Sequence, residues 1–208
     1  MILPDTELEK NLWSKGYTFV CGIDEAGRGP LAGPVSAGAV VIDSKTEVIP
    51  FVRDSKMMTQ KQREEAYDLI KSSVVAWGVG LVEASEIDRV GIGSAVSMAM
   101  LLAVKQVEKM LGTEVEYLIV DGKNVLDVSN YPIQKVTKGD SYHYSISCAS
   151  VLAKVERDRV MYEYAKVYPE YGFESHVGYG TKKHMEAISK YGILEIHRKS
   201  FKPVAKYV

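Results

Sequence analysis

No apolar run in this chain approaches the roughly 20 residues needed to span a bilayer, so no membrane-crossing helix is expected. Met1 to Lys15 mixes acids with its apolar residues and has no apolar export core, which makes the cytoplasm the expected location. Cysteine is scarce. Cys21 and Cys148 lie far apart with no metal-binding spacing, which excludes a cysteine zinc site and suits a reducing compartment. The four histidines, His143, His176, His184 and His197, also lack zinc spacing and suggest no Ser/His/Asp triad. The glycines of Ala26–Pro34 do not fit G-x-G-x-x-G, a strand rather than a helix should follow them, and G-x-x-x-x-G-K-[ST] is missing. Dinucleotide-binding and P-loop chemistries are therefore excluded. A large net charge is missing too: −1 argues against indiscriminate binding of nucleic acid.

That small total hides an asymmetry. From His176 to Val208 there are seven Lys/Arg against two Asp/Glu, a local +5 that leaves −6 for the rest. A basic C-terminal segment of this kind either makes phosphate contacts or is a solvated tail. The 208 residues suit one domain, or one domain with a helical extension, and can bury a core without disulfides.

Hydrophobic patterning predicts strands over 18–24, 35–42, 74–82, 117–120 and 133–136. Thr59 and Gln62 form a capping-box pattern that opens a helix to about Lys71. A long helix is predicted over 94–111, where Met98, Leu101, Leu102, Val104 and Val107 can share one broad apolar face. Further helices are predicted over 145–167 and 181–191, the second ended by Gly192. The stretch 168–180 is expected to be an irregular, functional connection. This order describes an α/β fold: a mixed β-sheet flanked by helices, with a helical C-terminal part.

Asp24 and Glu25 follow the first strand, Asp121 follows a central strand, and Asp140 precedes the late helix. An acid directly after buried apolar residues is costly unless it is solvated, paired or bound to a cation. Each acid alone reads as a solvated strand end or a cap. Together they could converge at one sheet edge, where a divalent cation would relieve their repulsion; oxygen ligands alone favour Mg²⁺ or Mn²⁺ over zinc. Adjacent strand residues point to opposite faces, so Asp24 and Glu25 can share a site only where the strand ends or bends. The glycine-rich stretch after them is either a hairpin turn or a turn that brings backbone amides and Arg28 to a ligand. Lys182 and Lys183 open a helix, where the macrodipole disfavours cations, and a phosphate nearby would offset that.

Gly22-Ile23-Asp24-Glu25-Ala26-Gly27-Arg28-Gly29-Pro30-Leu31-Ala32-Gly33-Pro34-Val35 resembles the signature of ribonuclease HII. The resemblance continues, in order, through Asp54-Ser55-Lys56, Val120-Asp121-Gly122, Lys138-Gly139-Asp140, Ser150–Val155, Arg157-Asp158, Tyr171-Gly172-Phe173, Gly178–Thr181 and His197–Phe201. It implies a ribonuclease H-like domain over 1–208 with a basic helical extension from about residue 168. It implies a metal site of Asp24, Glu25, Asp121 and Asp140, holding two Mg²⁺ or Mn²⁺ ions with substrate bound. It further implies that Gly27, Arg28 and Gly29 read the 2′-hydroxyl of the target ribonucleotide, that Tyr179 stacks on the following sugar, and that Lys56 contacts a phosphate. The implied activity is hydrolysis of RNA in RNA/DNA hybrids and incision 5′ of ribonucleotides embedded in DNA, leaving 5′-phosphate and 3′-hydroxyl ends. A monomer is expected. Met57 and Cys148 depart from the family's usual lysine and alanine, and only packing or modest affinity effects are expected of them. A hybrid-binding module without catalysis would tolerate loss of the acids, and the presence of all four disfavours it.

Overall fold

The computed structural model describes residues 3–122 and 131–208. In chain order its elements are α1 (Glu7–Ser14), β1 (Val20–Ala26), β2 (Val35–Val41), α2 (Gln60–Ser73), β3 (Ala76–Val82), α3 (Ala84–Val90), α4 (Ile92–Leu111), β4 (Tyr117–Asp121), β5 (Ile133–Val136), α5 (Gly139–Tyr142), α6 (Tyr144–Val167), α7 (Phe173–His176), α8 (Lys182–Tyr191) and α9 (Lys202–Ala205). Among the described residues no helix is long and apolar enough to cross a membrane.

The strands form one mixed sheet in the order β3-β2-β1-β4-β5. β1 is antiparallel to β2, and β2 to β3, while β4 runs parallel to both β1 and β5. Alternation along the strands sends side chains to two helical layers. Cys21, Ile23, Val35, Ala37, Ala39 and Val41 pack against α4, whereas Val40, Ile42 and Val79 pack against α6. Glycines let both helices lie close to the sheet. A Cβ on Gly38 would stand 2.2 Å from the Ala149 carbonyl of α6, and one on Gly80 would stand 2.0 Å from the Ala99 carbonyl of α4.

The predicted elements are present with shifted bounds. β1 runs two residues beyond the predicted end, so Asp24 and Glu25 lie inside the strand, and β3 starts at Ala76 rather than residue 74. The Thr59/Gln62 capping box forms in full at the start of α2. On α4 the buried stripe passes through Ala95, Ala99, Met100, Ala103 and Val107, while Leu102 turns outward at 47% exposure. The small residues face the sheet because the glycines of β3 admit the helix backbone so closely. The predicted irregular stretch 168–180 contains a 3₁₀ turn at Pro169–Tyr171 and the short α7.

Besides the one-turn helices α5, α7 and α9, two longer helices were not visible in the sequence pattern. α3 is a short helix that ends where α4 begins, at Gly91 with φ +81°. α1 buries a carboxylate: Glu9 accepts from the Ser145 amide at 3.1 Å and its hydroxyl at 2.6 Å, which pins α1 to the start of α6. Both cysteines are buried and unpaired. Cys148 sits in the core between α6 and the sheet, so that departure concerns packing, and Met57 is exposed.

Candidate active site

β1, β4 and β5 are mutually parallel, so their C-terminal ends share one edge of the sheet. That is where the acids gather. Asp24 projects from β1, Asp121 ends β4, and Asp140 lies in α5 just after β5. One carboxylate oxygen from each lies within 4.8 Å of the others. Each is held in place. Asp24 accepts from the Glu25 amide at 2.8 Å and from the Ser150 hydroxyl of α6, which itself meets Ser55 at 2.9 Å. Asp121 accepts from the Gly139 amide at 2.8 Å, which ties β4 to the turn carrying Asp140.

Glu25 stands outside that trio. It follows Asp24 within β1 and pairs with Arg28 at 3.6 Å. It still belongs to the same electrostatic field, because its charge acts on Asp24 and the Asp121 charge acts on it.

The acids carry the mark of mutual repulsion. Burial, then the charges of Glu25, Asp121 and Asp140, pushes the Asp24 carboxyl well above the usual carboxylate range. Burial also raises Glu25, against the pull of Arg28. Asp140 is raised by burial and by Asp54 and Asp121, partly offset by Lys56 at 3.5 Å. Burial disfavours the Lys56 ammonium, but Asp140, Asp54 and Asp24 more than restore it, so its pKa is raised. Three converging carboxylates with no nitrogen or sulfur ligand suit a hard divalent cation. Such an ion would convert their repulsion into binding energy.

A second cleft adjoins this one, and Lys56 lines both. It is bounded by Glu25, Gly27, Arg28, Gly29, Ser55, Lys154 and Tyr179. The Tyr179 ring is 43% exposed, and a Cβ on Gly29 would meet only that ring, at 3.8 Å. The missing side chain of Gly29 thus keeps the space between the loop and the tyrosine open.

Two buried arginines build the loop's shape. Arg198 donates to the carbonyls of Gly27 (2.6 Å), Pro34 (2.9 Å), Arg28 (3.0 Å) and Gly33 (3.0 Å). Arg157 of α6 donates to Pro34 and Val177 at 3.0 Å and to Ala32 at 3.2 Å. The loop turns through Gly27 at φ +86°, where a Cβ would strike the Arg157 guanidinium. Main-chain bonds from Leu31 to Gly178 and from Gly33 to Ile196, each 2.8 Å, join the loop to the C-terminal segment.

This decides several open points. The glycine turn is a cleft-lining loop clamped from behind by Arg157 and Arg198, not a plain hairpin. His197 and Arg198 are fully buried and structural. Lys183 reaches Glu174 at 3.3 Å and Lys182 reaches Glu186 at 3.8 Å, so carboxylates offset part of the cost of cations at the start of α8. Ser55, Ser150, Lys154 and Arg157 had no role assigned from sequence. For Ser150 and Arg157 the available signal was a polar residue among the apolar residues of the α6 stretch.

The ribonuclease HII family model matches residues 21–204. The chain belongs to the ribonuclease HII family. The ribonuclease HII of Clostridioides difficile is 50% identical over 195 residues, covering 93% of this chain and 73% of that protein. The ribonuclease HII of Acholeplasma laidlawii is 44% identical over 206 residues, covering 99% and 98%. The solved ribonuclease H2 of Pyrococcus horikoshii superposes with a TM-score of 0.72 at 27% identity, covering 90% of this chain and 96% of that one. As a ribonuclease HII family member the chain is a divalent-metal-dependent endoribonuclease that cuts the RNA strand of RNA/DNA hybrids. Its substrate is therefore a nucleic acid.

Proposed function

We propose that the enzyme also incises duplex DNA 5′ of an embedded ribonucleotide, leaving 5′-phosphate and 3′-hydroxyl ends. The observation that carries this reading is the pair of adjoining clefts: carboxylates line one, the Gly27–Gly29 loop and Tyr179 line the other, and Lys56 borders both. A single sugar can occupy the second cleft while its 5′ phosphate lies against the acids.

In this reading Asp24, Glu25, Asp121 and Asp140 hold two ions, Mg²⁺ or Mn²⁺. Bound there, divalent cations supply activation of water and stabilisation of charge at phosphorus and at the leaving oxygen. The chain's own residues do the rest. Gly27 and Gly29 let backbone groups approach the 2′-hydroxyl, the feature that distinguishes RNA from DNA. Arg28, oriented by Glu25, covers the same hydroxyl. Tyr179 stacks on the following sugar and tests whether it is deoxyribose. Lys56 neutralises a phosphate and favours the ionised form of Asp140. Residues 1–208 act as one catalytic unit, monomeric and cytoplasmic, whose basic helical part from about residue 168 lies along the duplex.

The deciding experiment is a metal-titrated digestion of three duplexes: a full hybrid, DNA with one ribonucleotide, and plain DNA. Cleavage of the first two, with the single-ribonucleotide cut mapped to the 5′ side, is expected. An uncut single-ribonucleotide duplex would remove the proposed specificity. Asp121→Asn should bind the duplex and fail to cut it, and wild-type turnover in that variant would refute the metal assignment. Tyr179→Ala should lose more activity at RNA–DNA junctions than within uniform hybrids.

A further inference from the structure

Three of the four histidines lie buried behind the Tyr179 loop, where neither cleft reaches them. His184 and His197 are fully buried and His176 nearly so. The rings of His176 and His184 stack at 4.6 Å, and those of His184 and His197 lie 5.2 Å apart, with Phe173 packed against all three.

Their hydrogen bonds leave one tautomer for each neutral ring. The Leu194 amide donates to His197 Nδ1 at 2.8 Å, so that nitrogen carries no proton and His197 is protonated at Nε2. Nε2 of His197 faces Nε2 of His184 at 3.1 Å, which makes His197 the donor and His184 the acceptor. His184 must then carry its proton on Nδ1, which donates to the Tyr179 carbonyl at 2.9 Å. The Gly178 amide donates to His176 Nδ1 at 3.2 Å, so His176 Nε2 donates to the Tyr171 carbonyl at 2.9 Å. A second proton on His197 or His176 would set two donors against each other.

The same bonds enclose the Gly178-Tyr179 backbone on every side. The Tyr179 amide donates to the His176 carbonyl at 2.9 Å, the Tyr179 carbonyl also accepts from the Thr181 amide at 2.8 Å, and the Gly178 carbonyl accepts from Leu31 at 2.8 Å. The backbone here is one that a loop does not hold unaided, since Val177 and Gly178 both have positive φ, at +42° and +86°.

We propose that His197, His184 and His176 form a neutral relay of fixed tautomers that positions Tyr179 for sugar discrimination, with His184 Nδ1–H as the contact that sets the ring's height over Gly29. This rests on the reading of Tyr179 as the sugar-sensing residue. His184 touches no substrate and is a positioning residue. Burial pushes the pKa values of His184 and His197 down to about 4, which keeps the relay neutral at working pH.

The test has three parts. Long-range proton–nitrogen spectra of the wild-type protein should show His197 and His176 protonated at Nε2 and His184 at Nδ1. Any other pattern overturns the relay. Next, an asparagine amide stands where a histidine Nδ1 stands, and a glutamine amide where Nε2 stands. His184→Asn should therefore keep the donor to Tyr179, while His184→Gln should lose it. The ratio of kcat/KM at a junction to that in a uniform hybrid should fall about 5- to 10-fold in His184→Gln, as for loss of one hydrogen bond. It should stay within about 2-fold of wild type in His184→Asn, a change too small to amount to one such bond. His184→Gln should add no further loss to Tyr179→Ala. An unchanged ratio in His184→Gln, or equal loss on both substrates, refutes the positioning role. If Tyr179→Ala itself leaves the ratio unchanged, the sugar-sensing reading falls instead. The relay is then decided by amide exchange at Tyr179 and Thr181, which His184→Gln should speed and His184→Asn should not.

Discussion

Removing one carboxylate from the acidic trio should make the metal-free protein more stable. The relevant substitution is Asp24→Asn. Oxygens of Asp24, Asp121 and Asp140 lie within 4.8 Å of one another, and Asp24 and Asp140 are 4% and 5% exposed. At an effective dielectric constant of about 20, unit charges at that separation repel by roughly 3 kcal/mol per pair. Asp24 takes part in two such pairs. Partial protonation, favoured by its raised pKa, and the Lys56 ammonium beside Asp140 relieve part of this. The asparagine carbonyl can still accept from the Glu25 amide and the Ser150 hydroxyl, so little bonding is lost. We expect a net gain of about 2 kcal/mol at pH 8 in chelator, or roughly 4–8 °C in Tm for a domain of this size. Mn²⁺ should reverse the order. Metal at a hundred times its dissociation constant stabilises the wild type by about 2.7 kcal/mol, and the variant, lacking a ligand, should gain far less. Thermal melts of both proteins, with and without metal, make the assay. A variant that melts lower than wild type in chelator, or gains as much from Mn²⁺, would refute the argument that repulsion is stored for the ion.

The remaining predictions concern the second cleft and its support. Gly29→Ala meets only open space and the Tyr179 ring, so Tm should change little while KM for a ribonucleotide-containing duplex rises several-fold; a matching fall in Tm would show that Gly29 is structural. Arg198→Lys leaves the loop carbonyls short of donors, and at about 1–3 kcal/mol for each buried acceptor left unsatisfied it should cost 3 kcal/mol or more, read by urea melts. A wild-type midpoint in that variant would mean the loop holds its shape without the clamp. The histidine relay adds a pH dependence. The folded pKa of His184 and His197, about 4, lies below the unfolded value of about 6.5, so the unfolded chain takes up the extra protons. Their stabilisation is complete above about pH 6.5 and is lost as pH falls towards 4, by at most about 1.4 kcal/mol per pH unit for each proton. The raised carboxylates act in the opposite sense over the same window, so the measurement is the difference between wild type and His184→Asn, and equal slopes would refute it.

The strands were legible because a core strand must be apolar, and the capping box because its chemistry is local. The bounds were less so. β1 continues past Asp24 because Asp24, Glu25 and Ala26 pair with Gly38, Ala37 and Ser36, a long-range fact with no local mark. α1 escaped notice because it buries Glu9, which inverts the apolar pattern used to find helices. Leu102 was placed on the buried face of α4 because a leucine outweighs an alanine in any hydropathy pattern. The glycines of β3 reverse that preference, since they let Ala99 and Ala103 touch the sheet.

By itself the sequence determined the strand order along the chain, the acids near the strand ends, the ordered motifs of a ribonuclease HII, and the tyrosine between two glycines. All of these are properties of neighbouring residues. Tertiary structure alone decided that Asp24, Asp121 and Asp140 converge while Glu25 turns towards Arg28, because convergence depends on β1, β4 and β5 running parallel to a common edge. It alone placed Arg157, Arg198 and three histidines in the buried frame behind the second cleft. A polar side chain reads the same in sequence whether it faces water or a ring of carbonyls; only the packing of distant segments around it separates the two.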